Sequence, residues 1–113
     1  MLFFDGVDGS EACYGLTVMS IRVIVTFEVK PHQVESFLRL VQSVKTDLPM
    51  VAGCEGVEAY RSLDDPLVFT FVEAWCDRGA HRTHIEALVS SGEWRLVENH
   101  LAAAPRTCYL ESC

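Results

Sequence analysis

Three residues in the second half of the chain have side chains suited to chemistry on an aromatic compound: two can transfer or orient a proton, and one can stack on an aromatic ring. Glu73 and Trp75 belong to a Glu-x-Trp pair, and His84 follows nine residues after the tryptophan. The imidazole of a histidine titrates near neutral pH, so His84 is the candidate general base. Trp75 offers a flat apolar wall and one indole N–H donor, and Glu73 offers a carboxylate that orients a neighbouring group.

Each of these side chains also has a structural interpretation. His84 is either a base or a histidine hydrogen-bonded between a helix and a sheet, and Trp75 either lines a pocket or packs in the core. Glu73 is the most unusual, because ionised carboxylates are rarely buried unless they are paired. An ion pair with Arg61 or Arg106 is one explanation, and a hydrogen bond that orients His84 is the other.

A second histidine raises the question of a metal site. His81 and His84 are three residues apart, which places them on one face of a helix, and Glu73 in principle completes a three-ligand site. We favour the interpretation without a metal, in which His81 lies near the edge of its helix.

Hydrophobic periodicity predicts the elements that position these residues. Apolar residues alternate over 21–29, a period of two that is typical of a strand. Residues 31–48 follow the i, i+3, i+4, i+7 spacing of an amphipathic helix, which Pro49 ends. A second strand is predicted over 54–61, and the Asp-Asp-Pro sequence after it indicates a hairpin turn.

The second half of the chain predicts two more strands and two helices. Residues 67–76 form a strand that is largely apolar on both faces, and Asp77 is the expected N-cap of the helix that carries both histidines. Residues 90–93 read as a capping box for a short third helix, and residues 106–111 form the last strand.

This order of elements predicts an α+β fold of the ferredoxin-like split β-α-β type, with a four-stranded antiparallel sheet. The helices cover only one face of such a sheet. The other face is also apolar, so it would be an exposed hydrophobic surface in a monomer. We therefore expect a homodimer in which this face is buried against a second copy of the chain.

Composition indicates one small globular domain. The chain has 113 residues, of which 50% are hydrophobic and 22% charged, and a formal net charge of −7. Residues 1–19 contain acidic residues but no Lys or Arg and show no periodicity, so we interpret them as an extraneous or loosely packed leader. Residues 20–113 form the predicted domain, with Met19 as the expected natural start.

Charge and hydropathy disfavour several classes of partner. The nine Lys and Arg residues are scattered, which disfavours nucleic acids and anionic membrane surfaces. The most apolar early segment, 16–27, is shorter than the roughly 20 residues that span a bilayer. The N-terminus lacks a basic signal region, and the five cysteines form no C-x-x-C pair. We therefore expect a cytoplasmic protein with reduced thiols.

Several short segments together resemble a known family. They are Phe27-Glu-Val-Lys-Pro31, Gly53-Cys-Glu-Gly56, Tyr60-Arg61, Asp65-Pro66 and Glu73-Ala-Trp75 followed by His84. In combination they resemble the antibiotic biosynthesis monooxygenase (ABM) domain over residues 20–111. The resemblance implies a dimer whose two sheets pack face to face into an α+β barrel, in agreement with the two-sided strands.

The resemblance implies several kinds of activity. Members include cofactor-independent oxygenases of phenols and quinols, haem-degrading enzymes and small-molecule isomerases. Haem-degrading members use an Asn, a Trp and a His, and the matching positions here hold Val25, His84 and a residue within 94–98. Haem is therefore not expected, with His100 as the remaining alternative for an axial ligand.

The resemblance, together with these residues, implies a cofactor-independent monooxygenase that oxidises a small aromatic, quinol or polyketide-like substrate with dioxygen. The deprotonated substrate itself reduces dioxygen, so the protein supplies a base, hydrogen bonds and a pocket that excludes water. The alternatives are a non-catalytic module that binds a hydrophobic metabolite, and an isomerase or haem-handling relative. The predicted substrate-binding residues are Phe37, Val41, Tyr60, Phe71 and Trp94.

Overall fold

A four-stranded antiparallel sheet forms the centre of the structure, a computed structural model that describes residues 20–113. The strands are β1 (Ile21–Glu28), β2 (Cys54–Arg61), β3 (Val68–Trp75) and β4 (Arg106–Glu111), and the helices of this part are α1 (Val34–Asp47), α2 (Arg78–Ser91) and α3 (Glu93–Glu98). The spatial order is β2-β3-β1-β4, with the two apolar strands in the middle. This is the predicted ferredoxin-like arrangement, so the fold prediction is confirmed.

The ends of the helices agree with one sequence prediction and contradict another. Asp77 caps α2 as predicted, and its carboxylate accepts a 2.8 Å hydrogen bond from the N–H of Ala80. The predicted capping box over 90–93 is wrong, because α2 continues through Ser91. Gly92, in the left-handed conformation at φ +89°, separates α2 from α3. The Ser91 hydroxyl accepts from the N–H of Glu93, a bond that joins the two helices at this bend.

The core lies between the helices and one face of the sheet. The inward residues of β1 and β3 are almost fully buried, and α1 packs on them through Phe37. The Phe37 ring lies 5.5 Å from that of Phe27 and 5.0 Å from that of Phe69, in tilted contacts that aromatic rings favour. The buried apolar residues are Val23, Val25, Phe27, Val29, Phe37, Val41, Leu48, Phe69, Phe71, Trp75 and Leu101.

The opposite face of the sheet carries no helix within the described residues. Ile24 of β1 pairs with Val72 of β3 at the centre of this face, and both side chains are partly exposed. Leu110 of β4 is 48% exposed on the same face. We call this the outer face, defined by Ile24, Val72 and Leu110 with their neighbours. The predicted homodimer, which requires this face to be covered, stays a prediction.

The start of β2 approaches α2 closely at Gly53. This residue has φ +88°, and a side-chain carbon there would lie 2.5 Å from the Cβ of Ala80. The Gly53 carbonyl also accepts a hydrogen bond from the N–H of Cys76.

Cys76 is disulfide-bonded, so the expectation of reduced thiols is wrong at this position, whereas Cys54, Cys108 and Cys113 are free.

The proposed leader and the start at Met19 lie outside the described residues. Within residues 20–113, the helices are all too short or too polar to cross a membrane.

Candidate active site

A cavity of about 610 Å³ lies between the helices and the inner face of the sheet. Its floor comes from β1, β3 and β4, and its walls come from the three helices. The lining is mostly apolar and includes the aromatic rings of Phe27, Phe37, Phe71 and Trp94. Among the few polar groups are Glu73, His81, His84 and Tyr109. Apolar walls with a few converging polar groups are typical of small-molecule sites of this size.

His84 faces this cavity from α2, one helical turn after His81. Its ring lies 5.4 Å from the Trp75 ring, and its nitrogens have no hydrogen-bond partner within residues 20–113. Burial, and secondarily the nearby His81, lowers the pKa of the imidazole from 6.5 to about 4. His84 is therefore a neutral hydrogen-bond acceptor at physiological pH, whereas the sequence predicted a group that titrates near neutrality.

Trp75 and Glu73 form a buried hydrogen-bonded pair. The Trp75 indole N–H donates to Oε1 of Glu73 at 2.8 Å, and the Trp75 side chain is 0% exposed. Trp75 therefore supports the His84 ring from the core and does not itself line the cavity, while Glu73 does. Burial raises the pKa of the Glu73 carboxyl, and the hydrogen bond from Trp75 opposes this shift.

The predicted ion pair of Glu73 with Arg61 or Arg106 is wrong. Arg61 lies near the other end of the hairpin, where its Nε donates to the carbonyl of Pro66 and its guanidinium lies 5.0 Å from the centre of the Phe69 ring. Arg106 pairs with Thr26 and is exposed on the outer face. Charge alone suggested these partners, but the strand register keeps both away from the carboxylate.

The polar neighbour of Glu73 is instead His81, which is 4% exposed and does not lie at a helix edge. His81 Nε2 is 3.8 Å from Glu73 Oε1, and His81 Nδ1 shares a 2.8 Å hydrogen bond with the Tyr109 hydroxyl. Burial lowers the pKa of His81. The proposed orientation of His84 by Glu73 therefore gives way to a Glu73–His81–Tyr109 chain, of which sequence reasoning missed Tyr109.

The predicted substrate-binding residues divide into three groups. Phe37, Phe71 and Trp94 line the cavity. Val41 is buried in α1 but lies outside the lining. Tyr60 is 53% exposed and bonded to Glu58. It is on the outer face, because its register partner Thr70 alternates with the inward residues of β3.

The structure also bears on the two alternatives for a bound group, a haem held by His100 and a metal ion. His100 Nδ1 lies 2.8 Å from the Leu96 carbonyl, to which it can only donate, so Nε2 accepts from the Ser36 hydroxyl at 2.9 Å. Both nitrogens are thus engaged outside the cavity lining. Among residues 20–113, no cluster of three or more His, Cys, Asp or Glu side chains is arranged to hold a metal ion.

Comparison with known proteins gives one family and one fold. The family of antibiotic biosynthesis monooxygenases (ABM) matches residues 20–98. A conserved protein from Methanosarcina mazei Go1 is 26% identical, with a TM-score of 0.72 over 85% of this chain and 95% of that one. A structure named antibiotic biosynthesis monooxygenase is 20% identical, with a TM-score of 0.72 over 82% of this chain and 98% of the other.

A third structure agrees with these. PA3566 from Pseudomonas aeruginosa is 20% identical, with a TM-score of 0.74 over 88% of this chain and 99% of that one. A search of curated proteins found no match. The likenesses at 20% identity concern the fold, whereas the family match covers most of the described domain, from the start of β1 to the end of α3.

Proposed function

The chain belongs to the antibiotic biosynthesis monooxygenase family, and from its cavity we propose that it is a cofactor-independent monooxygenase of small aromatic, quinol or polyketide-like hydroxyl compounds. One observation carries the proposal. A neutral imidazole without a hydrogen-bond partner in the described residues faces an apolar cavity lined by aromatic rings. Such a group is available to accept the proton of a bound phenol.

The reaction needs little from the protein. As the phenolic proton moves to His84 Nδ1 or Nε2, an electron moves from the phenol to dioxygen, which leaves a phenoxyl radical and superoxide. Recombination at a ring carbon that carries hydrogen, ortho or para to the hydroxyl, gives a peroxide anion, which takes the proton back from His84. Loss of water from the resulting hydroperoxide gives a quinone. One phenol and one dioxygen thus yield one quinone and one water, with one oxygen atom in each product. The apolar walls support this step because they keep water away from the reactive intermediates.

The remaining site residues have distinct roles in this proposal. Phe37, Phe71 and Trp94 provide the surfaces against which an aromatic substrate packs. Trp75 contacts the His84 ring from the core side and so holds its orientation. Glu73 fixes Trp75 through the indole hydrogen bond, so both residues position the His84 ring.

We also propose that the functional unit is a homodimer joined through the outer face. The apolar pairs of β1 and β3 on this face are only partly buried, and the family resemblance implies an α+β barrel of two sheets. An obligate interface of this kind buries well over about 1,200 Å² of surface.

Oxygen uptake with a naphthol tests the proposal. The wild type should consume one dioxygen per quinone formed, and isotopically labelled dioxygen should leave one label in the quinone and one in water. His84→Gln keeps a polar side chain but lacks a basic nitrogen, so it should reduce the rate by about 100-fold or more, a typical contribution of a general base. The matched control is His32→Gln, because His32 is exposed and is not part of the cavity lining.

Two results would contradict the proposal. Uptake that is equal in the wild type and in His84→Gln would remove His84 as the base. If the wild type binds the naphthol without any oxygen uptake, the protein is a non-catalytic module that binds a hydrophobic metabolite.

A further inference from the structure

Tyr109 reaches the cavity from the edge strand β4, in a row that crosses three strands. Val23 of β1 pairs with Tyr109 on one side and with Glu73 on the other, so the three residues share one level on the inner face. Val23 is fully buried, and His81 of α2 spans the two polar ends of the row. The tyrosine ring is held from a further side by the Arg78 guanidinium, 4.4 Å from its centre.

The surroundings of His81 determine the direction of its hydrogen bond to Tyr109. Nε2 of His81 points toward Oε1 of Glu73 at 3.8 Å, and this oxygen already accepts the indole N–H of Trp75. A nitrogen lone pair facing this acceptor oxygen is repelled, whereas an N–H is attracted, so the proton of the neutral imidazole belongs on Nε2. Nδ1 is then the acceptor, and the Tyr109 hydroxyl donates to it at 2.8 Å.

A tyrosine whose only hydroxyl hydrogen is committed in this way can only accept a further hydrogen bond. Tyr109 is part of the cavity lining and is half-buried, so its oxygen is open to a bound molecule. His84 is likewise a neutral acceptor that faces the same cavity. The two groups come from different elements, α2 and β4, and so approach a ligand from different directions.

We propose that Tyr109 is a second substrate-contacting residue, positioned by His81, and that it selects aromatic substrates with two hydroxyl donors over those with one. This inference rests on the proposed function, in which His84 receives the first hydroxyl. Tyr109 accepts a hydrogen bond from the second, and Glu73 maintains the His81 tautomer that keeps Tyr109 an acceptor. The preferred substrates are therefore aromatic compounds that carry two hydroxyl groups.

Binding measured without oxygen separates this inference from the catalytic proposal. Naphthalenediol isomers and the matching naphthols are titrated by calorimetry into the full-length protein under anaerobic conditions. The wild type should bind its best diol about five- to tenfold more tightly than the naphthol, which is the value of one hydrogen bond. Tyr109→Phe should remove this preference and leave naphthol affinity unchanged. Tyr60→Phe, a tyrosine on the outer face, should behave as the wild type.

A second variant tests the positioning role of His81. His81→Phe keeps an aromatic ring but removes the Nδ1 acceptor, which frees the Tyr109 hydroxyl to donate into the cavity. Affinity for tetralone, a ketone that only accepts hydrogen bonds, should then rise several-fold relative to the wild type. The double variant with Tyr109→Phe should lose this gain. If the role of His81 is purely structural, His81→Phe should bind every ligand more weakly, and its affinity for tetralone should not rise.

The outcomes are distinguishable from those of the oxygenase test. An unchanged diol preference in Tyr109→Phe overturns the inference even if oxygen uptake is intact. A lost preference supports it even if no turnover is ever observed. Should His81→Phe fail to fold, the comparison of Tyr109→Phe with Tyr60→Phe decides alone.

Discussion

The partly buried imidazole of His84 should make the folded protein sensitive to acid, and replacing it should remove a defined part of that sensitivity. Its pKa is about 4 in the folded protein, against an ordinary value of 6.5. Between these values the unfolded chain binds a proton that the folded protein does not bind. The free energy of unfolding therefore falls as the pH decreases from 6.5 to about 4, and it gains nothing from this group above pH 6.5.

The size of the effect follows from the difference in pKa. About 2.5 units at roughly 1.4 kcal/mol each give a total loss of about 3 kcal/mol, complete near pH 4. At pH 5 about 2 kcal/mol of this loss is already present. Against a typical stability of about 5 to 15 kcal/mol, this is a large fraction. His81, whose pKa is also lowered by burial, adds a dependence of the same sign that His84 variants retain.

Urea unfolding at pH 7.5 and pH 5.0, followed by tryptophan fluorescence at one protein concentration, measures this contribution. The unfolding free energy of the wild type should decrease by about 2 kcal/mol more than that of His84→Gln between the two pH values. His32→Gln should show the wild-type decrease, because His32 is exposed. Comparing pH differences rather than absolute stabilities removes the packing cost of each substitution.

An equal decrease in the wild type and in His84→Gln would refute the reasoning, since it would mean that His84 titrates alike in the folded and unfolded states.

The lowered pKa of His84 also affects how the reaction rate depends on pH. A base that is neutral above about pH 5 gives a rate that is flat from pH 5 to 8 and declines only below it. A rate that rises through pH 6.5 would indicate a solvated histidine.

Two further predictions concern backbone strain and assembly. Gly53→Ala should lower the melting temperature more than Gly92→Ala. Both positions have φ near +90°, which costs an alanine about 1 kcal/mol, but only Gly53 would place its new carbon against Ala80. Val72→Arg on the outer face should convert the expected dimer into a monomer in light scattering. Val89→Arg, at an exposed position of α2, should leave the dimer intact. A monomeric wild type would contradict the proposed interface.

Periodicity predicted the secondary structure well because most elements have one buried face. The bounds predicted for β2 and β4 match the structure, and α1 begins and ends within a few residues of expectation, next to short 3-10 turns that contain Pro31 and Pro49. The error at 90–93 has a local cause. A serine followed three residues later by a glutamate resembles an N-cap, but the left-handed Gly92 is a stronger signal for a helix end.

The site was predictable where it depends on a single element. Helical spacing placed His81 and His84 on one face of α2, and strand alternation placed Glu73 and Trp75 on one face of β3. Pairings between elements were not predictable in this way. Arg61 pairs with Phe69, four residues and therefore about 13 Å along β3 from Glu73, a distance that composition does not reveal.

The contact between His81 and Tyr109 depends on the register of β4 against β1, and this explains why it escaped a reading of the sequence. A slip of one residue would turn Tyr109 to the outer face, and a slip of two would move it about 7 Å along the strand, beyond hydrogen-bond reach of His81. Only the register that pairs Val23 with Tyr109 places the hydroxyl under α2. The donor and acceptor character of the cavity is therefore set by strand pairing at the edge of the sheet, whereas the base comes from the helix alone.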